Sequence, residues 1–311
     1  VKIVVGIPTF RRPELLEALL RSLEKQERLD GIDVDILVAD NDGEDRHGVL
    51  VCERLAPDFV WPLSHIIVDA RGLTAVRNAI LQSAEGSSAD YLAMVDDDER
   101  AEPQWLRELL DQAQNLDADI VGGPVLYEYE RPPESSMLVS GAFPDKHQES
   151  GKVRMIEATG NVLISLDALK SVGFPKFDPK FGLTGGEDKE FFTRLRHLGL
   201  TFAWADNAIA HEHVPPERTT LGWVMRRAFR TGNCDYRITR LHDGNRATVV
   251  SLLKALAVLL TMPLLALLLI VPNLRIWLLR RWSRAMGKIC GAIGGSYEEY
   301  SLPDGRSSPK S

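Results

Sequence analysis

The stretch "YLAMVDDDER", residues 91–100, carries an apolar run straight into Asp96, Asp97, Asp98 and Glu99. A short unbroken apolar run reads as a strand buried on both faces, as in sheets covered by helices on either side. Like charges crowded at the end of such a strand repel one another unless a cation or basic groups offset them. The fold and the function both follow from asking what does so here.

The same pattern recurs outward along the chain. "KIVVGIPTF" from Lys2, "VDILVADND" from Val34 and "ADIVGGPV" from Ala118 read as further buried strands. Between them lie helical stretches. "RPELLEALLRSLEKQ" (12–26) places Leu15, Leu19 and Leu23 on one face, with Pro13 in the first turn where proline is tolerated. "GLTAVRNAILQSAEG" (72–86) and "PQWLRELLDQAQ" (103–114) are the next two. Strands alternating with helices predict an α/β fold, with a mainly parallel sheet and helices on both faces. Sheets of this kind bind ligands beyond the carboxyl ends of their strands. Thr9, then Asp40 and Asn41, then Asp96 to Asp98 all fall there. Residues 127–155 show no regular pattern.

Bulk composition narrows the class. The 311 residues are 44% hydrophobic and 26% charged, with a formal net charge of −7. No excess of Lys and Arg exists to neutralise phosphates, so no nucleic-acid partner is expected. Cys52, Cys234 and Cys290 are too scattered for a disulfide framework or a zinc site and fit a reducing compartment. The first residues lack the apolar core and cleavage site of a signal peptide, so this end is expected in the cytosol.

Clustered carboxylates suit Mg²⁺ or Mn²⁺ shared with a substrate diphosphate. If side chains alternate through this segment, Asp96 and Asp98 face alike and Asp97 points elsewhere. Asp98 is then the expected direct ligand. Neither the P-loop pattern nor GxGxxG occurs. "GGEDKEFF" (185–192) is a second acidic cluster, opening a helix after two glycines. "HEHVPPER" (211–218) offers His211 and His213 as late metal ligands, and alternation does not choose between them. Arg226, Arg227 and Arg230 follow on one helix, with Arg226 and Arg230 a turn apart.

Taken in order, "VVGIPTFRRPELLEALLRSL", "ILVADND", "ARGLTAVRNAIL", "MVDDDE", "ATGNVLI", "FGLTGGEDKEFFTRL" and "HEHVPPERTTLGWVMRRAFRTGN" resemble the family 2 glycosyltransferases of GT-A fold. The spacing is most similar to that of bacterial exopolysaccharide glucosyltransferases of the succinoglycan type, over roughly residues 1–245. The resemblance implies inverting, metal-dependent transfer of a hexose from a UDP-sugar. Pro8, Thr9 and Arg11 match the loop lining the nucleotide pocket. Asp40 matches the carboxylate that accepts from the uracil N–H, and Arg71 and Arg77 a basic segment near uracil and phosphates. Asp96 matches a ribose or metal-shell carboxylate, flanked by Asp97, and Asp98 the metal ligand. Asp188 matches the catalytic base, with Glu187 beside it to contact the acceptor. Arg227 and Arg230 are expected to clamp the diphosphate. The QxxRW motif of processive synthases is missing, which favours adding one sugar per acceptor.

The chain is therefore read as a catalytic domain (1–245), membrane-associating helices (246–290) and a polar tail (291–311). Residues 255–272 carry no charge, at the lower limit for a span, and Pro263 interrupts them. "IWLLRRWSRAMGK" then sets Trp277 and Trp282 among arginines, as interfacial helices do. Peripheral, monotopic or re-entrant attachment to the cytoplasmic (inner) leaflet of a bacterial inner membrane is expected ahead of a true span or a buried helical hairpin, with a polyprenyl-diphosphate-linked saccharide as acceptor. The rival readings are a catalytically inactive membrane scaffold and a sugar nucleotidyltransferase. The second should show a glycine-rich Arg/Lys loop that "GIPTFRRPE" does not provide.

Overall fold

The computed structural model describes residues 1–144 and 146–295. The tail beyond residue 295 therefore lies outside the described residues. In chain order the elements are β1 (Lys2–Thr9), α1 (Pro13–Leu23), β2 (Asp33–Asp40), α2 (His47–Leu55), β3 (Leu63–Ile67), α3 (Leu73–Glu85), β4 (Tyr91–Val95), β5 (Glu99–Ala101) and α4 (Trp105–Leu116). There follow β6 (Ile120–Gly122), β7 (Val125–Tyr129), α5 (Ser135–Val139), β8 (Gly151–Val153), β9 (Asn161–Ser165), α6 (Leu166–Ser171) and α7 (Glu187–His197). The last are β10 (Phe202–Trp204), β11 (Ala210–Val214), α8 (Leu221–Ile238), α9 (Gly244–Thr261) and α10 (Pro272–Ala292). The irregular region 127–155 thus holds two short strands and a short helix.

Packing divides the chain into two compact units. The first comprises Val1–Leu126, Lys146–Gly182 and Glu187–Glu212. Its sheet has the order β3-β2-β1-β4-β9-β6-β10-β8. The β3-β2-β1-β4 half is wholly parallel, β9 runs antiparallel to β4 and β6, and β8 closes the far edge antiparallel to β10. The α/β class with a mainly parallel sheet is therefore present, as a mixed sheet.

The pattern of β1 shows why the sheet needs helices on both sides. Ile3, Val5 and Ile7 join one core with α1, α2 and α4, whereas Val4 joins another with α3, α6 and α7. Gly6 shares the Val4 face, and a Cβ there would overlap Ile80 of α3. The first helix layer can approach β1 this closely only because position 6 has no side chain. β1, β2 and β4 are thereby fixed with their carboxyl ends aligned.

The second unit holds Tyr127 to 145, Leu183–Gly186 and the chain from His213. Its main feature is α8 against α10. Ser283 Oγ donates to Met225 O, Gly287 meets Phe229 and Gly291 meets Tyr236, so the two helices run parallel. A Cβ at Gly232 would overlap the Arg284 backbone, and one at Gly287 the Phe229 carbonyl. Gly287 and Gly291 form a small-xxx-small pair of the kind that lets helix backbones touch. Residues past 245 are thus the packing partner of α8 and more than a loose appendix. The apolar run is broken where the proline predicts, with α9 ending at Thr261 and a 3-10 stretch spanning Pro263–Ile270. The continuous helical stretch Leu221–Thr261 is long and apolar enough by composition to cross a membrane.

Candidate active site

Two arginines offset the carboxylates at the end of β4. Arg12 Nη1 lies 3.0 Å from Asp97 Oδ1 and 3.0 Å from Asp98 Oδ2. Arg77 Nη2 lies 3.5 Å from Asp96 Oδ1. Asp97 does not point away as alternation suggested: it is buried and accepts from Thr9 Oγ1 at 2.8 Å. The strand ends at Val95, and the chain turns so that Glu99 N donates to Asp96 O, which cancels the alternation. Burial pushes the Asp97 carboxyl up to about 6, against the pull of Arg12. Burial likewise raises Asp96, opposed by Arg77. Glu99 is buried and raised well above the carboxylate range, by burial first and then by Asp96 and Asp98. Its Oε2 accepts from Asp96 N at 3.1 Å, bracing the turn.

Arg77 joins this cluster to the second one. It emerges from α3 with its side chain 3% exposed, and Nη1 lies 2.5 Å from Glu187 Oε1 and 4.0 Å from Asp188 Oδ2. Glu187 and Asp188 begin α7, where acidic side chains complement the helix dipole. The two differ in access: the Glu187 side chain is 4% exposed and that of Asp188 24%. Glu187 is therefore placed to hold Arg77 and is too buried for the acceptor contact expected of it. Asp188 is the more accessible carboxylate of the pair.

Other expected residues take different places. Asp40 is fully buried, and its oxygens accept the backbone N–H groups of Asp42 (2.9 Å) and Val49 (3.1 Å). These two bonds use one lone pair on each oxygen, so Asp40 braces the β2–α2 turn and keeps acceptor capacity. Asn41 reaches Val68 O and Ala70 O and accepts from Gly72 N, which clamps the loop carrying exposed Arg71. Pro8 is buried at the end of β1. Arg11 has φ 54, in the left-handed region, and turns to Asp42 (3.1 Å), Glu44 (3.3 Å) and Asp45 (3.5 Å). It is the neighbouring Arg12, not singled out from the sequence, that meets the β4 carboxylates.

The histidines are separated. β5 pairs antiparallel with β11, setting His211 opposite Arg100, and His211 Nε2 lies 2.9 Å from Glu102 Oε1. His213 belongs to the second unit, where its Nε2 lies 2.9 Å from Glu130 Oε1. Each is thus held by a glutamate through Nε2. In that unit Arg227 packs over Trp223, and Arg230 lies against Gly185 of the turn just before Glu187. Cys234 Sγ donates to Gly185 O at 3.1 Å, and Arg237 bonds Thr184 Oγ1 at 2.6 Å. Gly185 and Gly186 both have positive φ, 75° and 85°, which only glycine adopts without strain.

Two places could accept a divalent cation. Asp42, Asp45 and His47 have ligand atoms within 4.8 Å of one another, with the Arg11 guanidinium beside them. The Asp96–Asp98 turn is the other, with Arg12 and Arg77 beside it. Its donors are all hard oxygens, as Mg²⁺ and Mn²⁺ prefer. Gly160 borders it, and a Cβ there would overlap Glu99 and come 3.2 Å from Asp96 Oδ2. Beside it, the buried Thr159 Oγ1 has no hydrogen-bond partner, a polar atom left over for something outside the protein.

A mixed α/β sheet with one acidic cluster after β4 and a second at the start of α7 is the arrangement of sugar-transferring enzymes with a GT-A-like fold. Residues 4–173 match the family described as Glycosyl transferase family 2, and residues 91–291 match Glycosyl transferase family group 2. The chain belongs to glycosyl transferase family 2, a family of inverting hexosyltransferases. Among its relatives is the succinoglycan biosynthesis protein ExoM of Rhizobium meliloti, 35% identical over 236 residues, covering 75% of this chain and 74% of that one. The glycosyltransferase AglE of Haloferax volcanii is 24% identical over 230 residues, covering 73% and 71%. The mannosyltransferase PcManGT of Pyrobaculum calidifontis, solved with GDP-Man and Mn²⁺, shares the fold at TM-score 0.61 and 17% identity, covering 93% of this chain and 86% of that one. S. aureus TarS 1-349, solved with UDP-GlcNAc, does so at 0.54 and 16%, covering 98% and 95%. This chain spans 43% of the longer TarS chain.

Proposed function

We propose that this chain transfers a hexose, with inversion, from a UDP-sugar to a lipid-linked saccharide at the cytoplasmic face of a bacterial inner membrane. The observation that carries this reading is Arg77, buried between an acidic turn suited to a diphosphate-bound cation and a helix start that exposes Asp188. A donor lying across the carboxyl ends of β1, β2 and β4 would bring its diphosphate to Asp96 and Asp98. Mg²⁺ or Mn²⁺ held by these two would screen the charge that grows on the leaving diphosphate. Asp188 accepts the proton of the acceptor hydroxyl as that oxygen attacks the anomeric carbon. Glu187 holds Arg77, and Arg77 in turn sits between Asp96 and Asp188. The two carboxylates with opposite tasks thus share one rigid cation.

The relative in succinoglycan biosynthesis supports an exopolysaccharide role, and the structural neighbours solved with UDP-GlcNAc and with GDP-Man support a nucleotide-sugar donor. Membrane attachment is supported by the helices after Asn245. Leu264, Leu267 and Ile270 are 81%, 79% and 79% exposed, and Val249, Leu253, Leu256 and Leu260 are exposed along α9. A continuous apolar surface of this kind marks an interaction site. Arg281 stacks 4.6 Å over Trp277, a pairing suited to the level of lipid headgroups.

A screen of UDP-hexoses for UDP release tests the reading. At least one should be slowly hydrolysed with Mn²⁺ and left intact with chelator. Failure of every sugar nucleotide to bind or react would refute it.

A further inference from the structure

The second unit contains a cavity of about 440 Å³ lined by none of the residues assigned above to transfer. Its lining brings together the loop at Arg131 and Glu134, the start of α8 at Thr220 and Leu221, and the start of α10 at Arg275 and Ile276. Because α8 and α10 run parallel, their N-termini lie at the same end. Each helix carries partial positive charge there, and two such ends side by side repel. Acidic residues in the first turn would offset this, yet neither helix has one. Arg275 instead adds a cation to the first turns of α10, against its dipole, and Arg131 adds another from the loop. Both arginines are exposed, and neither has an ion pair among the described residues. Glu134 is the one carboxylate in the lining. An anion at this mouth would meet the start of α8 and two planar donors at once, with the positive end of α10 nearby.

The rest of the lining says what carries the anion. Met137 and Ile276 form a buried apolar floor. Directly before Arg275 the chain exposes Ile270, Val271 and Leu274, which continue the apolar surface of α9. A soluble phosphate has no use for that surface, whereas a lipid covers it with its chains.

We propose that this cavity binds the phosphate-bearing headgroup of a lipid, with Arg131 and Arg275 as its donors and the 270–274 segment against the acyl or prenyl chain. The proposal rests on the reading that the chain works at a membrane, and it adds a site for the anionic end of the lipid on residues other than those assigned to transfer.

The full chain is tested by flotation with phosphatidylcholine vesicles, plain, doped with a polyprenyl phosphate, or doped with phosphatidylglycerol. Arg131→Gln combined with Arg275→Gln should weaken binding to phosphate-doped vesicles by about tenfold or more, since charge-assisted bonds to phosphate are lost. Glu134→Gln should strengthen it, an opposite change that a folding defect cannot mimic. An effect confined to polyprenyl phosphate assigns the acceptor lipid, and an equal effect on phosphatidylglycerol assigns an ordinary headgroup. UDP binding should be unchanged in both variants, so a failed transferase reading would show separately as absent UDP binding in the unaltered protein. Three results would overturn the site: unaltered binding of the double variant, an equal loss on plain phosphatidylcholine, or arginine-dependent binding of inorganic pyrophosphate with vesicle binding indifferent to both arginines.

Discussion

Asp188→Asn should slow sugar transfer by about 10²–10⁴-fold while donor affinity stays within a few-fold of the unaltered protein. The amide keeps the size of the side chain but cannot take the acceptor's proton. Glu187 cannot substitute, because its side chain is 4% exposed and holds Arg77 at 2.5 Å. Single-turnover transfer to the natural acceptor, with donor affinity measured separately, reads both quantities. Transfer at the unaltered rate would remove Asp188 from the role of base. A parallel loss of donor affinity would place it in the donor site instead.

Arg77→Met should strongly destabilise the first unit. It leaves the buried Glu187 carboxylate and the β4 turn without the guanidinium that joins them. Removing one partner of a buried pair costs roughly 3–5 kcal/mol. For a unit of this size that corresponds to a fall in Tm of roughly 6–20 °C. Arg77→Met with Glu187→Gln should recover a large part of the loss, because the buried charge leaves with its partner. A thermal melt of the two variants decides the matter. A single variant as stable as the unaltered protein would mean that the pair is solvated and does not bridge the clusters.

Much of this site was legible because apolar runs ending in polar groups mark strand ends directly. Thr9, Asp40 and Asp96 to Asp98 all lie where that rule puts them, and the glycines before Glu187 do have positive φ. What could not be read were contacts between residues distant in sequence. Arg12 was passed over because a left-handed residue at 11, which sends the two side chains to different acidic loops, leaves no mark in the sequence. Nor does the sequence show the N–H groups of Asp42 and Val49 folding back onto Asp40. The partners of His211 and His213, Glu102 and Glu130, are set by strand contacts across 109 and 83 residues. The α8–α10 contact did leave a trace, in Gly287 and Gly291 four apart, that a reading centred on charge passes over.

The central claim is that a donor diphosphate is held at the Asp96–Asp98 turn through a divalent cation. Calorimetric titration of UDP, with Mn²⁺ and with chelator, into the unaltered protein and into Asp98→Ala tests it most directly. Binding should appear in the unaltered protein with Mn²⁺ only, and should vanish in Asp98→Ala while its thermal melt stays cooperative. Equal UDP affinity in the two proteins, or binding indifferent to Mn²⁺, would contradict the claim and place the diphosphate elsewhere.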